Sequence, residues 1–204
     1  DMGRYTSHHM RPLDETGLQR AFQVLGALLE RRGRRFDLAV IGGSGLLLLE
    51  VVRRTTKDVD IVGAVTGDRV VKLTELPPEL EAAAKAVGEE LDLPAGWLNP
   101  GPSALVDFGL PEGFLERCHP LRFGGLSLHV ASRYDQIHFK VYATVDQGPR
   151  SKHASDLAAL APTRDELLAA AKWCRTQDPS EGFATVLVSF LLHHGVEVSL
   201  EELD

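Results

Sequence analysis

Apolar positions along the chain follow two kinds of rhythm. Leu18, Phe22, Leu25, Leu28 and Leu29 recur at three- and four-residue steps. That spacing predicts a helix over 18–32, which Gly33 ends. Leu38-Ala39-Val40-Ile41 is an unbroken apolar run that reads as a strand. Gly42-Gly43-Ser44-Gly45 follows as a turn, then a helix-like segment over 46–54 and a second strand through Val59-Asp60-Ile61-Val62. Residues 63–78 read as a loop around a strand-like piece at 70–73, and 79–91 as a helix rich in alanine and charge. Pro77 and Pro78 stand near its start, where a missing N–H costs little. After a turn-rich stretch at 94–102, Leu105-Val106-Asp107-Phe108 and the alternating segment 126–130 read as strands.

The remainder is helical in pattern. Ser132 can cap a helix running to about Val145, with Tyr134, Ile137, Val141 and Val145 on one face, and Gly148-Pro149 breaks it. Three more helices are predicted over 152–160, 164–177 and 180–194. Thr163 and Glu166 have capping-box spacing, and Ser180 can cap the last helix. Strand, helix and strand first, with helices after, give an α/β (α+β) fold with a helical C-terminal part.

The domain reading follows from these boundaries. Residues 1–10, with Ser7-His8-His9-Met10, resemble an expression-tag remnant, and no metal site is read into His8 and His9. Residues 11–160 form the α/β domain, and 161–204 a helical extension packed on it. The N-terminal segment lacks the apolar stretch of a signal peptide, and no apolar run is long enough to span a bilayer. A cytoplasmic protein without membrane association is expected, with Cys118 and Cys174 as reduced thiols.

Charge narrows the partners. The net charge of −7 disfavours broad nonspecific nucleic-acid binding, which rests on Lys and Arg neutralising phosphates. Basic clusters at Arg31, Arg32, Arg34 and Arg35, at Arg53, Arg54 and Lys57, and at Arg150, Lys152 and His153 leave room for a local groove.

The candidate chemistry sits beside the first strand. In a strand, positions i and i+2 share a face, so Asp58 and Asp60 can converge on one hard cation while Val59 and Ile61 turn into the core. Carboxylate oxygens suit Mg²⁺, which keeps waters and also binds substrate phosphates. The glycine turn lets backbone N–H groups approach a phosphate. No Gly-Lys-Ser/Thr follows the glycines, which excludes a Walker loop, and the dinucleotide fingerprint lacks its third glycine. His119, His129, His138, His193 and His194 have no metal-ligand spacing, and there is no nucleophile elbow.

The ordered combination is more specific than its parts: strand, Gly43-Ser44, thirteen residues, then Asp58-x-Asp60, with Arg54 and Thr56 just before the acids. It resembles motif I of the nucleotidyltransferase superfamily, and within it the small bacterial nucleotidyltransferases related to AbiEii-type toxins. The resemblance covers about residues 36–160. It implies a mixed sheet flanked by helices, Mg²⁺ (or Mn²⁺) on Asp58 and Asp60, and an NTP such as ATP held by Gly42, Gly43 and Ser44. The segment Asp135-Gln136-Ile137-His138-Phe139-Lys140-Val141-Tyr142-Ala143 matches the helix that carries a lysine in that group. Lys140 would then contact the triphosphate, and Asp156, in the later basic-then-acidic segment 150–157, would complete or support the site. A third carboxylate on a later strand is common in polymerase-like relatives, and its assignment stays open between Asp107 and Asp156.

The function so implied is metal-dependent transfer of a nucleoside monophosphate from an NTP to a hydroxyl. The acceptor would be an RNA end such as a tRNA, a protein or a small molecule. A role as the toxin of a toxin–antitoxin pair, with an antitoxin partner, goes with that resemblance. The alternative is a catalytically inactive protein of the same fold that acts as a binding partner.

Overall fold

In the computed structural model, which describes residues 12–204, the apolar run becomes the central strand β1 (Phe36–Ile41), with Leu38 to Ile41 all buried. The tag-like segment 1–10 lies outside the described residues. β2 (Val59–Thr66) pairs antiparallel with β1 on one side, and β6 (Leu126–Val130) pairs parallel with it on the other. β3 (Arg69–Val71) and β5 (His119–Phe123) form the two ends, giving the order β3-β2-β1-β6-β5. β4 (Leu98–Asn99) adds in parallel to the start of β2, aligning Asn99 with Asp60. The sheet is therefore mixed, as expected.

Burial on both faces of β1 requires cover on both sides. The helices α1 (Glu15–Arg31) and α3 (Pro78–Glu90) supply one layer, packing Phe22, Leu25 and Leu80, with Trp97 from the loop before β4, against Leu38, Val40, Val59 and Ile61. The opposite layer is built from α5 (Arg133–Gln147), α6 (Lys152–Leu160), α7 (Arg164–Gln177) and α8 (Glu181–His193), over Ala39, Ile41 and Val62. Because Val59 and Ile61 take the α1/α3 face, Asp60 faces the α5/α6 layer, and Asp58 lies just ahead of the strand. That alternation decides where the site can form.

The helix caps follow their sequence signals. Ser132, Thr163 and Ser180 each accept a hydrogen bond from the third residue of the helix they start, and Thr163 with Glu166 closes a full capping box. The glycine segment departs from expectation. It is not a turn before a helix; Gly42 itself opens the short α2 (Gly42–Leu48), which stops well before residue 54. Gly42 tolerates this entry because it adopts φ +75°, a region that β-carbon sterics close to most residues.

Residues 105–108 are not a strand. Gly101–Val106 forms a 3₁₀ turn, Asp107 follows it, and Phe108 is exposed. The short helix α4 (Phe114–Arg117) and the edge strand β5 come next, and neither was expected. Both β5 and its surroundings are half-exposed, so the chain there carries no apolar alternation to read. Both cysteines are free thiols. Among the described residues, no helix is long and apolar enough to cross a membrane.

Candidate active site

Asp60 stands on the second position of β2, half-buried, with Asp58 at the residue before the strand begins. Its carboxylate lies against the glycine segment, where a β-carbon added to Gly42 would collide with Oδ2. Asn99 donates to Asp60 Oδ1 at 3.3 Å and fixes the other oxygen. Burial pushes the Asp60 carboxyl above the usual range, and the negative charge of Asp58 adds to the push, while Lys152 and Lys140 oppose it.

Ser44 is buried, and its hydroxyl is without a hydrogen-bond partner. Thr144 Oγ1 on α5 is the other such buried hydroxyl among the described residues, so the feature does not by itself mark a site. The glycine segment is held from behind by Gln136 on α5, which accepts from Gly42 N at 3.1 Å and donates to Gly42 O at 3.3 Å.

One turn further along α5 stands Lys140, on the same face as Gln136. Its ammonium is almost wholly buried and donates to Asp156 Oδ2 at 2.8 Å. Arg54, in the loop between α2 and β2, grips the same carboxylate from the other side, Nε to Oδ1 at 2.9 Å and Nη2 to Oδ2 at 2.6 Å. Burial alone would raise the Asp156 carboxyl, but the Arg54 fork and Lys140 together hold it below the usual range. Burial lowers the Lys140 ammonium, against the pull of Asp156. Burial and the two lysines Lys140 and Lys152 push the His153 imidazole down to about 4. The ring is therefore neutral at pH 7, and its Nδ1, 3.3 Å from Lys140 Nζ, accepts from the ammonium.

The expected residues thus assemble unevenly. Asp60 meets Gly42, and the Arg54–Asp156–Lys140 cluster meets Gly43, at the start of α2; Ser44 is buried within that helix and Asp58 precedes β2. Asp156 is saturated by two cations, which makes it a poor direct metal ligand. Asp107 is corrected outright as a strand residue: it follows the 3₁₀ turn and is bound through both oxygens by Lys72, at 2.9 and 2.8 Å. Among the described residues, no three His, Cys, Asp or Glu side chains group as a metal site. Asn99, Gln136 and Arg54 are the contributors that the sequence did not assign. Arg54 alone had a signal there, its place just before the acids.

The antiparallel pair β1 and β2, connected through the glycine-opened α2, thus carries the acids beside that helix. The chain belongs to the family described as "Nucleotidyltransferase of unknown function (DUF6036)", which matches residues 17–160. That span runs from α1 to the end of α6 and contains the whole site, with α7 and α8 beyond it. The match carries the superfamily and not its AbiEii-type branch. No curated protein and no solved structure matches the chain.

Proposed function

We propose that the chain transfers a nucleoside monophosphate group from an NTP to a hydroxyl, with Mg²⁺ or Mn²⁺ held by Asp58 and Asp60. The observation that carries this reading is the placement of Asp60, whose carboxylate lies directly against Gly42 at the start of α2. Asp58 stands two residues before it in the chain, and burial together with the charge of Asp58 raises the Asp60 carboxyl. A divalent cation fits that donor set, because hard carboxylate oxygens are in excess and a two-acid site leaves positions for phosphate oxygens and water. When bound, such a cation supplies charge neutralisation on the phosphates and at the departing pyrophosphate.

The chain's own groups do the positioning. Asn99 orients one Asp60 oxygen, and Gln136 locks Gly42 by both its backbone groups. Ser44 offers a hydroxyl to a phosphate oxygen. Lys140 and Arg54 keep positive potential beside the same segment. Alignment and preorganised charge supply most of the acceleration in phosphoryl chemistry, so few covalent duties fall on the protein. Kinship with AbiEii-type enzymes, a toxin role and an antitoxin partner rest on the motif resemblance alone.

The acceptor is found by incubating the protein and Mg²⁺ with each labelled NTP and with cell RNA, cell protein or a small-molecule extract. Label in one fraction supports the reading and identifies the acceptor class. Absence of label from all three, with every NTP, contradicts transfer and favours the binding-only alternative.

A further inference from the structure

The buried lysine leaves a question of access. An ammonium whose side chain is 4% exposed, already committed to Asp156 and His153, is poorly placed to meet an incoming triphosphate. Arg54 differs on each count. Its side chain is 36% exposed, and its fork is oriented because Nε and Nη2 both engage Asp156. Nη1 makes a single long contact, to Thr55 O at 3.4 Å, so this edge keeps hydrogen-bonding capacity. The guanidinium also lies close against Gly43. A β-carbon at Gly43 would stand 3.0 Å from Nη2 and 3.4 Å from Nη1, so glycine at this position is what allows the approach.

Deepening the NTP-transfer reading and resting on it, we propose that Arg54 is the group that binds the substrate's triphosphate, with Asp156 as the residue that positions its fork. A guanidinium pinned along one edge by a carboxylate presents its remaining N–H groups in a fixed plane, the geometry that matches phosphate oxygens. It stays charged at every working pH. Asp156 then serves neither as third metal ligand nor as base. It orients Arg54 and pairs with Lys140, so the guanidinium is held beside Gly43.

The test compares binding of NTP, the matching NMP and inorganic triphosphate, each with Mg²⁺, to the wild-type chain and to Arg54→Gln, Arg54→Lys and Asp156→Asn. Arg54→Gln is expected to weaken NTP and inorganic triphosphate by about tenfold or more, the scale of one lost charged hydrogen bond, and NMP by less than about twofold. Arg54→Lys keeps the charge but not the fork, and is expected to fall between. Asp156→Asn should follow Arg54→Gln in the same ligand order. Should Arg54→Gln fail to fold, the Arg54→Lys comparison decides alone. Equal losses for NMP and triphosphate mark a merely structural clamp and overturn the proposal, as does unchanged triphosphate affinity. A wild-type chain that binds neither NTP nor triphosphate overturns the NTP reading itself; wild-type binding with unaffected Arg54 variants overturns only the role of Arg54.

Discussion

Asp60 is costly to the folded chain as an ionised group. Its raised carboxyl means that the folded state favours the protonated form, so its contribution to stability is full below the ordinary carboxylate range and is lost as pH rises through the folded value. At neutral pH, without a cation, the charge therefore opposes folding. Asp60→Asn is expected to melt at a higher temperature than the wild-type chain in metal-free buffer near pH 7, with the gap closing in acid. Mg²⁺ should raise the melting temperature of the wild-type chain and leave Asp60→Asn nearly unmoved. Equal Mg²⁺ shifts in the two proteins would argue against a cation at Asp60. The neighbourhood of Asp60 and the glycines was legible in the sequence because both belong to one short, ordered pattern, whereas Lys140 and Asp156 were singled out only through the family resemblance. Asn99 and Gln136 were not legible. Asn99 reaches Asp60 only through the β2–β4 pairing, and Gln136 meets Gly42 across 94 residues of chain. Local spacing carries no trace of either.

Among the elements, α2 shows how tightly the turn, the strand and α5 are interlocked. Gly42 opens the helix with a left-handed backbone, facing Asp60 on one side and bonded to Gln136 on another. A β-carbon there carries a conformational cost of about 1–2 kcal/mol and must also displace the Asp60 carboxylate. Gly42→Ala is thus expected to lower stability by about 1–3 kcal/mol in denaturant unfolding and to reduce Mg²⁺ affinity as well. A variant as stable as the parent, with unchanged Mg²⁺ binding, would refute the interlock. The sequence placed the helix start several residues late, since a run of glycines carries turn propensity and no helical period. It also misread Leu105-Val106-Asp107-Phe108. Three apolar residues around an acid fit a strand or a 3₁₀ turn equally well, and only tertiary packing separates them. The long helices were read closely because their caps and apolar faces agree.

The whole molecule sets Asp60 on the sheet face that α5 and α6 cover, and braces that layer from outside. Trp173 on α7 meets Phe139 and Tyr142 of α5 edge-on, at 5.5 and 6.1 Å between centroids, and Arg133 ties α5 to Glu166 of α7 and to the carbonyl that ends α6. Helices beyond the family-matched span thereby hold the two helices that carry Lys140 and Asp156. The overall negative charge leaves the local positive cluster as the feature that would attract an anionic substrate. The most direct measurement is the Mg²⁺-dependent transfer of labelled nucleoside monophosphate by the wild-type chain, by Asp58→Asn and by Asp60→Asn, all confirmed folded. The account predicts transfer by the wild-type chain and a loss of about a hundredfold or more in each variant, the scale seen when a preorganised electrostatic contact to the transition state is removed. Transfer at the wild-type rate by either variant, or no transfer by the wild-type chain with any NTP, would contradict it.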